Sequence, residues 1–76
     1  MVYEKGLVRL VKINIVEKDG KTLRFIKIAD PQVFDVDELM PVHDMDLDSL
    51  VIGQDYKARV HISGRYSNLE LVPLKG

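Results

Sequence analysis

The stretch GLVRLVKINIVEKDGKTLRFIKIA, residues 6–29, decides how the chain folds. From Gly6 to Glu17 it is rich in Val, Ile and Leu and carries no helix start or stop signal, which reads as one long strand. Leu7, Val11, Ile13 and Ile15 share one parity, while Val8, Leu10 and Val16 share the other. Either both faces are partly buried, or a bulge shifts the register midway. Long, bulged first strands are what a small closed barrel needs to bend around its core. Lys18-Asp19-Gly20-Lys21 then signals a hairpin, because Asp-Gly supplies the positive φ angles of a type I′ turn. A second strand follows from Thr22 to Ala29 and ends at Asp30-Pro31. Leu23 and Phe25 fall on one parity and Ile26 and Ile28 on the other, so a kink is expected here too; Phe25 is assigned to the core.

Farther along, the acidic middle is less regular. Val33-Phe34 and Glu38-Leu39-Met40 read as short strands or loop anchors, with Pro41 breaking between elements. Asp46-Leu47-Asp48-Ser49-Leu50 suits one short helical turn with an acidic first half. The cleanest strand comes next: Tyr56, Ala58, Val60 and Ile62 alternate with Lys57, Arg59, His61 and Ser63. One face is apolar, so Tyr56 belongs to the core, and the other is cationic. A loop over Ser63-Gly64-Arg65-Tyr66-Ser67-Asn68 leads to a last strand opened by Leu69 and Leu71 and stopped by Pro73. The expected fold is all-β: a single domain over residues 1–76, built as a small five-stranded OB-like barrel with one short helical turn. An SH3-like barrel is the nearest rival.

The 76-residue chain lies near the lower size at which a hydrophobic core suffices alone, and it has no cysteine to staple it. Chains of this kind often gain stability from a second copy, so a homodimer is expected. Lys and Arg interrupt every long apolar run, and no export signal is present, which points to a soluble, cytoplasmic protein with no membrane partner. The net charge of −1 conceals an asymmetry. Between Lys27 and Lys57 there is no Lys or Arg, while the gap holds the eight carboxylates Asp30, Asp35, Asp37, Glu38, Asp44, Asp46, Asp48 and Asp55. The flanks hold all 11 Lys and Arg against Glu4, Glu17, Asp19 and Glu70. If the flanks fold side by side, their cations form a continuous positive strip facing an anionic partner.

Catalysis and cofactors find no footing in these residues. Asp44-Met-Asp-Leu-Asp48 imitates the start of a calcium loop, but Ser49 stands where such loops need Gly and Asp55 where they need a bidentate Glu. His43 and His61 have no partner at zinc-ligand spacing. Ser49, Ser63 and Ser67 lack an activating context, and isolated Gly53 and Gly64 form no phosphate cradle. No enzyme activity, cofactor, metal or small-molecule substrate is expected. What remains is cations interleaved with aromatics: Arg9, Lys12, Arg24 and Lys27 from the first hairpin, and Lys57, Arg59, Arg65 and Tyr66 from the last. An exposed aromatic stacks on bases while nearby cations follow phosphates, so these eight are the candidate nucleic-acid-binding residues. The competing account is that they are simply the solvated faces of strands.

The end of the chain adds a resemblance. Gly53-Gln-Asp-Tyr56-Lys-Ala-Arg-Val-His61, then a loop, then Leu69-Glu-Leu-Val-Pro-Leu-Lys75 resembles the gene-five-type single-stranded-DNA-binding proteins of filamentous phages. That family shows a Gly-x-Tyr strand, a projecting hairpin and a closing Leu-x-Leu-Val-Pro-x-Lys. The Asp19-Gly20-Lys21 turn is loosely similar to the family's first hairpin. The resemblance covers about a third of the chain and is weak in the middle. It implies an OB-like barrel, a symmetric dimer, and largely sequence-independent coating of single-stranded DNA during phage DNA replication, with RNA as the alternative strand. Tyr66 matches the aromatic of the projecting loop, with Arg65 beside it. Two positions depart from the pattern: Asn68 stands where a basic residue is expected, and Leu23 where an aromatic is. The runner-up function is a small protein-interaction module that uses the acidic central segment.

Overall fold

The structure, a computed structural model, describes residues 1–74, so Lys75 of the closing run lies outside the described residues. Five strands run in the order β1 (Val2–Lys18), β2 (Lys21–Ala29), β3 (Val36–Pro41), β4 (Asp55–Ser63) and β5 (Tyr66–Pro73). A single 3₁₀ turn, Leu47–Ser49, sits between β3 and β4. Neighbours around the closed barrel are β1-β2-β3-β5-β4. The β3–β5 contact is parallel and the other pairings are antiparallel. This is the OB order, and it removes the open edges that a flat five-stranded sheet would expose.

β1 closes the barrel because it serves two partners. Its first half pairs with β4 from Val2↔His61 to Arg9↔Asp55, and its second half pairs with β2 from Arg9↔Ala29 to Lys18↔Lys21. The register shifts twice, between Glu4 and Gly6 and between Leu10 and Lys12. Each shift bends the strand, and the second moves the inward parity from Val8 and Leu10 to Ile13. The mixed parity of the opening stretch is therefore a bulge at Val11. At the first shift Gly6 has φ 102, a conformation that side-chain-bearing residues rarely adopt.

β2 needs no such device. Its pairing with β1 is unbroken from Lys21 to Lys27, so the expected kink is absent. Leu23 and Phe25 simply point outward, half-buried, while Ile26 and Ile28 point into the barrel. Phe25 is thus not a core residue. The core is Val8, Leu10, Ile26, Ile28, Tyr56, Ala58, Val60, Leu69 and Leu71, with Leu39 of β3 packed against it.

The turns follow their residues. Asp19 and Gly20 take φ 54 and 73, as a type I′ hairpin requires. The 3₁₀ turn is capped by Asp46, whose Oδ1 accepts from the Asp48 N–H at 3.1 Å. Leu47 and Leu50 pack this segment onto the core, and the Tyr56 hydroxyl accepts from the Val51 N–H at 2.8 Å. Val33-Phe34 is no strand: it lies in the turn before β3, with Phe34 at φ 62. The last hairpin is tighter than expected. Ser63 pairs with Tyr66, so the turn is Gly64-Arg65 alone and Tyr66 is the first residue of β5. Gly64 supplies the positive φ there, at 61.

Candidate nucleic-acid interface

Strand pairing sorts the eight candidates onto three surfaces. On β1 and β2, Lys12 and Lys27 are direct partners and Asn14 partners Phe25. Because Ile13 and Ile26 point inward, these four side chains point outward together. β3 extends the surface: Ile26↔Leu39 is the inward pair, so Glu38, opposite Lys27, and Met40 point out. The parallel β3–β5 register holds only at Met40↔Asn68 and Pro41↔Leu69, and beyond it a cleft lined by Glu38, Leu39, Val60 and Ser67 opens between the two strands. Lys12, Lys27, Phe25 and Met40 therefore share the outward surface of β1, β2 and β3, while Tyr66 on β5 and Arg65 in the Gly64-Arg65 turn lie across that cleft. Tyr66 is 71% exposed.

Arg9, Lys57 and Arg59 lie on the other side, on the outward face of β1 and β4. Two of them are neutralised within the chain. Arg9 Nε donates to Asp55 Oδ1 at 2.9 Å, and Arg59 Nε donates to Glu4 Oε2 at 2.7 Å. Donating to Asp55, and then the charge of that carboxylate, raises the Arg9 guanidinium above its ordinary value. On the same face, His61 Nε2 and Glu70 Oε1 are 2.8 Å apart. Lys57 sits between Leu7 and Val72 and, among the described residues, makes no ion pair.

Arg24 is on neither face. It has the inward parity of Ile26 but lies beyond the barrel end, where it lines a cleft with Ile13, Ile15 and Leu47. Asp46 and Asp48 form the opposite wall. The continuous strip expected from the flanks is therefore replaced by a smaller surface. The candidates it keeps as cations are Lys12, Lys27 and Arg65, none of which makes an ion pair among the described residues, and the register puts Lys18 and Lys21 on the same hairpin face.

Two features of that surface were not foreseen. Phe25 supplies an aromatic between the lysine pair and Met40. Glu38 places one carboxylate in the middle and accepts a hydrogen bond from Asn14 Nδ2. The parity of Leu23 and Phe25 against Ile26 and Ile28 was the available signal for Phe25. Read as an uninterrupted strand, it puts that ring outside.

An extended strand with stacked bases needs a shallow track bearing flat apolar groups and unneutralised cations, and this surface offers both. No family model, curated protein or solved structure matches the chain. The likeness to the filamentous-phage proteins thus rests on the residues quoted above.

Proposed function

We propose that this chain binds single-stranded nucleic acid, DNA in the first place, with little regard for base sequence. The strand would run over the outward face of β1, β2, β3 and β5. The observation that carries the reading is the grouping of Lys12 and Lys27 beside Phe25, together with the exposed Tyr66 ring at the start of β5. Lys12, Lys27 and Arg65 hold phosphates, while Tyr66 and Phe25 stack on bases. The paired Arg9 and Arg59 contribute little, because a phosphate must compete with Asp55 and Glu4 for them. The barrel order supports the assignment, since the β2–β3 face of OB barrels is a recurrent site for oligonucleotides.

Fluorescence titration with poly(dT) at low salt tests it. Base stacking is worth about 1–3 kcal/mol per base, so Tyr66→Ala weakens binding by about 5- to 150-fold. Arg65→Ala weakens it less and lowers the salt dependence. Duplex DNA of equal length binds more weakly, because its bases are not free to stack. Unchanged poly(dT) affinity in both variants rules the assignment out.

The second reading is a protein-interaction module acting through the acidic middle. Its support is the exposed Phe34, which lies between Asp30 and Asp35 in the β2–β3 loop.

A further inference from the structure

Glu38 is the residue that a phosphate-holding surface does not explain. It stands on the outward face directly opposite Lys27, yet makes no ion pair among the described residues. Its Oε2 accepts from Asn14 Nδ2, and its Oε1 has no hydrogen-bond partner among the described residues. A negative charge in this place repels each phosphate that passes it. A neutral acceptor would anchor Asn14 without that repulsion, so the charge itself points to a ligand group that a carboxylate attracts.

Glu38 also lines the cleft where β3 and β5 part. The cleft has a volume of about 320 Å³, and a cavity of about 150 Å³ already admits a benzene, so a planar base ring has room here. Leu39, Val60 and Tyr3 supply apolar lining, and Ser67 supplies a hydroxyl. The two other charges at the cleft satisfy each other, because Lys5 Nζ lies 3.1 Å from Asp37 Oδ2. Glu38 is thus the one lining charge, among the described residues, without an opposite partner. Apolar walls with one or two fixed polar groups are what holds a base by its faces and reads it at its edge.

We infer that this cleft takes one base of the bound strand, and takes it best when that base bears an exocyclic amino group. Cytosine, adenine and guanine bear one, whereas thymine bears only carbonyl oxygens and a ring N–H. The amino group donates to the Glu38 carboxylate, and a hydrogen bond to a charged acceptor is among the stronger ones. In cytosine and adenine the ring nitrogen beside the amino group accepts from the Ser67 hydroxyl. Thymine O4 in the same place meets the carboxylate with no proton to offer. The inference rests on the reading of a bound single strand and adds one position at which the base counts. A strand passing from Lys27 to Tyr66 crosses this opening, which puts the cleft on its path.

Low-salt titration with fluorescently labelled oligo(dC) and oligo(dT) of equal length tests it on three proteins: the parent, Glu38→Gln and Tyr66→Ala. Glu38 and Tyr66 are both exposed, so both variants keep the fold. The parent binds oligo(dC) about tenfold more tightly than oligo(dT), the lower end of what a hydrogen bond to a charged group contributes. Glu38→Gln erases the preference, tightening oligo(dT) and loosening oligo(dC). Tyr66→Ala weakens both by the same factor and keeps the preference. Equal parental affinity for the two oligonucleotides overturns the inference and leaves strand binding standing. So does a Glu38→Gln protein that keeps the parental preference. A parent that binds neither oligonucleotide overturns the strand reading and this inference together.

Discussion

Salt dependence separates the surface seen in the fold from the longer strip that charge counting suggests. Each phosphate neutralised on a single strand contributes about −0.7 to the slope of log K against log salt. Were all seven cations Arg9, Lys12, Arg24, Lys27, Lys57, Arg59 and Arg65 engaged, raising salt fourfold would weaken binding by about 900-fold. With Lys12, Lys27 and Arg65 alone, the slope is about −2 and the same change weakens binding by about 20-fold. The perturbation is Lys12→Ala with Lys27→Ala, compared with Arg9→Ala plus Arg59→Ala. The first pair lowers the slope by about 1.4, because neither lysine makes an ion pair among the described residues. The second pair leaves it nearly unchanged, because Asp55 and Glu4 already occupy those guanidiniums. The assay is poly(dT) titration across a salt series, followed by intrinsic tyrosine fluorescence. A parental slope steeper than about −4, or equal losses from the two double variants, refutes the three-cation surface.

Other outcomes follow from the same geometry. Glu38→Gln keeps an acceptor for Asn14 and removes a negative charge from the middle of the surface. A phosphate about 5 Å away in water is then held about fourfold more tightly, measured by low-salt titration. Tyr56→Phe keeps the buried ring but strips the hydroxyl that receives the Val51 N–H, a loss of about 1 kcal/mol. Thermal melting reads that loss as a fall of about 4–8 °C for a domain of this size. Leu10→Ala empties a fully buried position at the β1 bend and removes about 2–5 kcal/mol. Against a total of about 4–11 kcal/mol for 76 residues, urea titration finds the midpoint roughly halved or the variant unfolded.

The strands whose one face is buried and whose other face is charged could be read directly. Tyr56 to Ile62 alternates cleanly because β4 has core on one side and water on the other. The Asp19-Gly20 turn was legible because so few residues accept its backbone. The β1 bend was legible as a change of parity, but its position at Val11 was not. Apolar residues on an outward face misled: Leu23 and Phe25 suggested a kink because the sequence does not say that a sheet surface can be partly apolar. Polar residues inside a strand misled in the other direction, since Tyr66-Ser67-Asn68 looks like loop although it pairs with β4. The ion pairs were out of reach altogether. Glu4 and Arg59 are 55 positions apart, and only the β1–β4 register, shifted at Gly6, brings them opposite each other.

The barrel is not equally tight all the way round. β3 and β5 meet through only Met40↔Asn68 and Pro41↔Leu69, helped by the Val42 N–H to Leu69 O bond at 2.9 Å and by Asn68 Nδ2 on Pro41 O at 3.2 Å. Every other junction is a longer ladder. This seam joins residues far apart in the chain, so it closes after the hairpins during folding and parts before them under thermal agitation. Amide deuteration accordingly reaches Val42 well before Val60. The cylinder is thus fastened at one junction by little more than a clasp, at Met40 and Asn68.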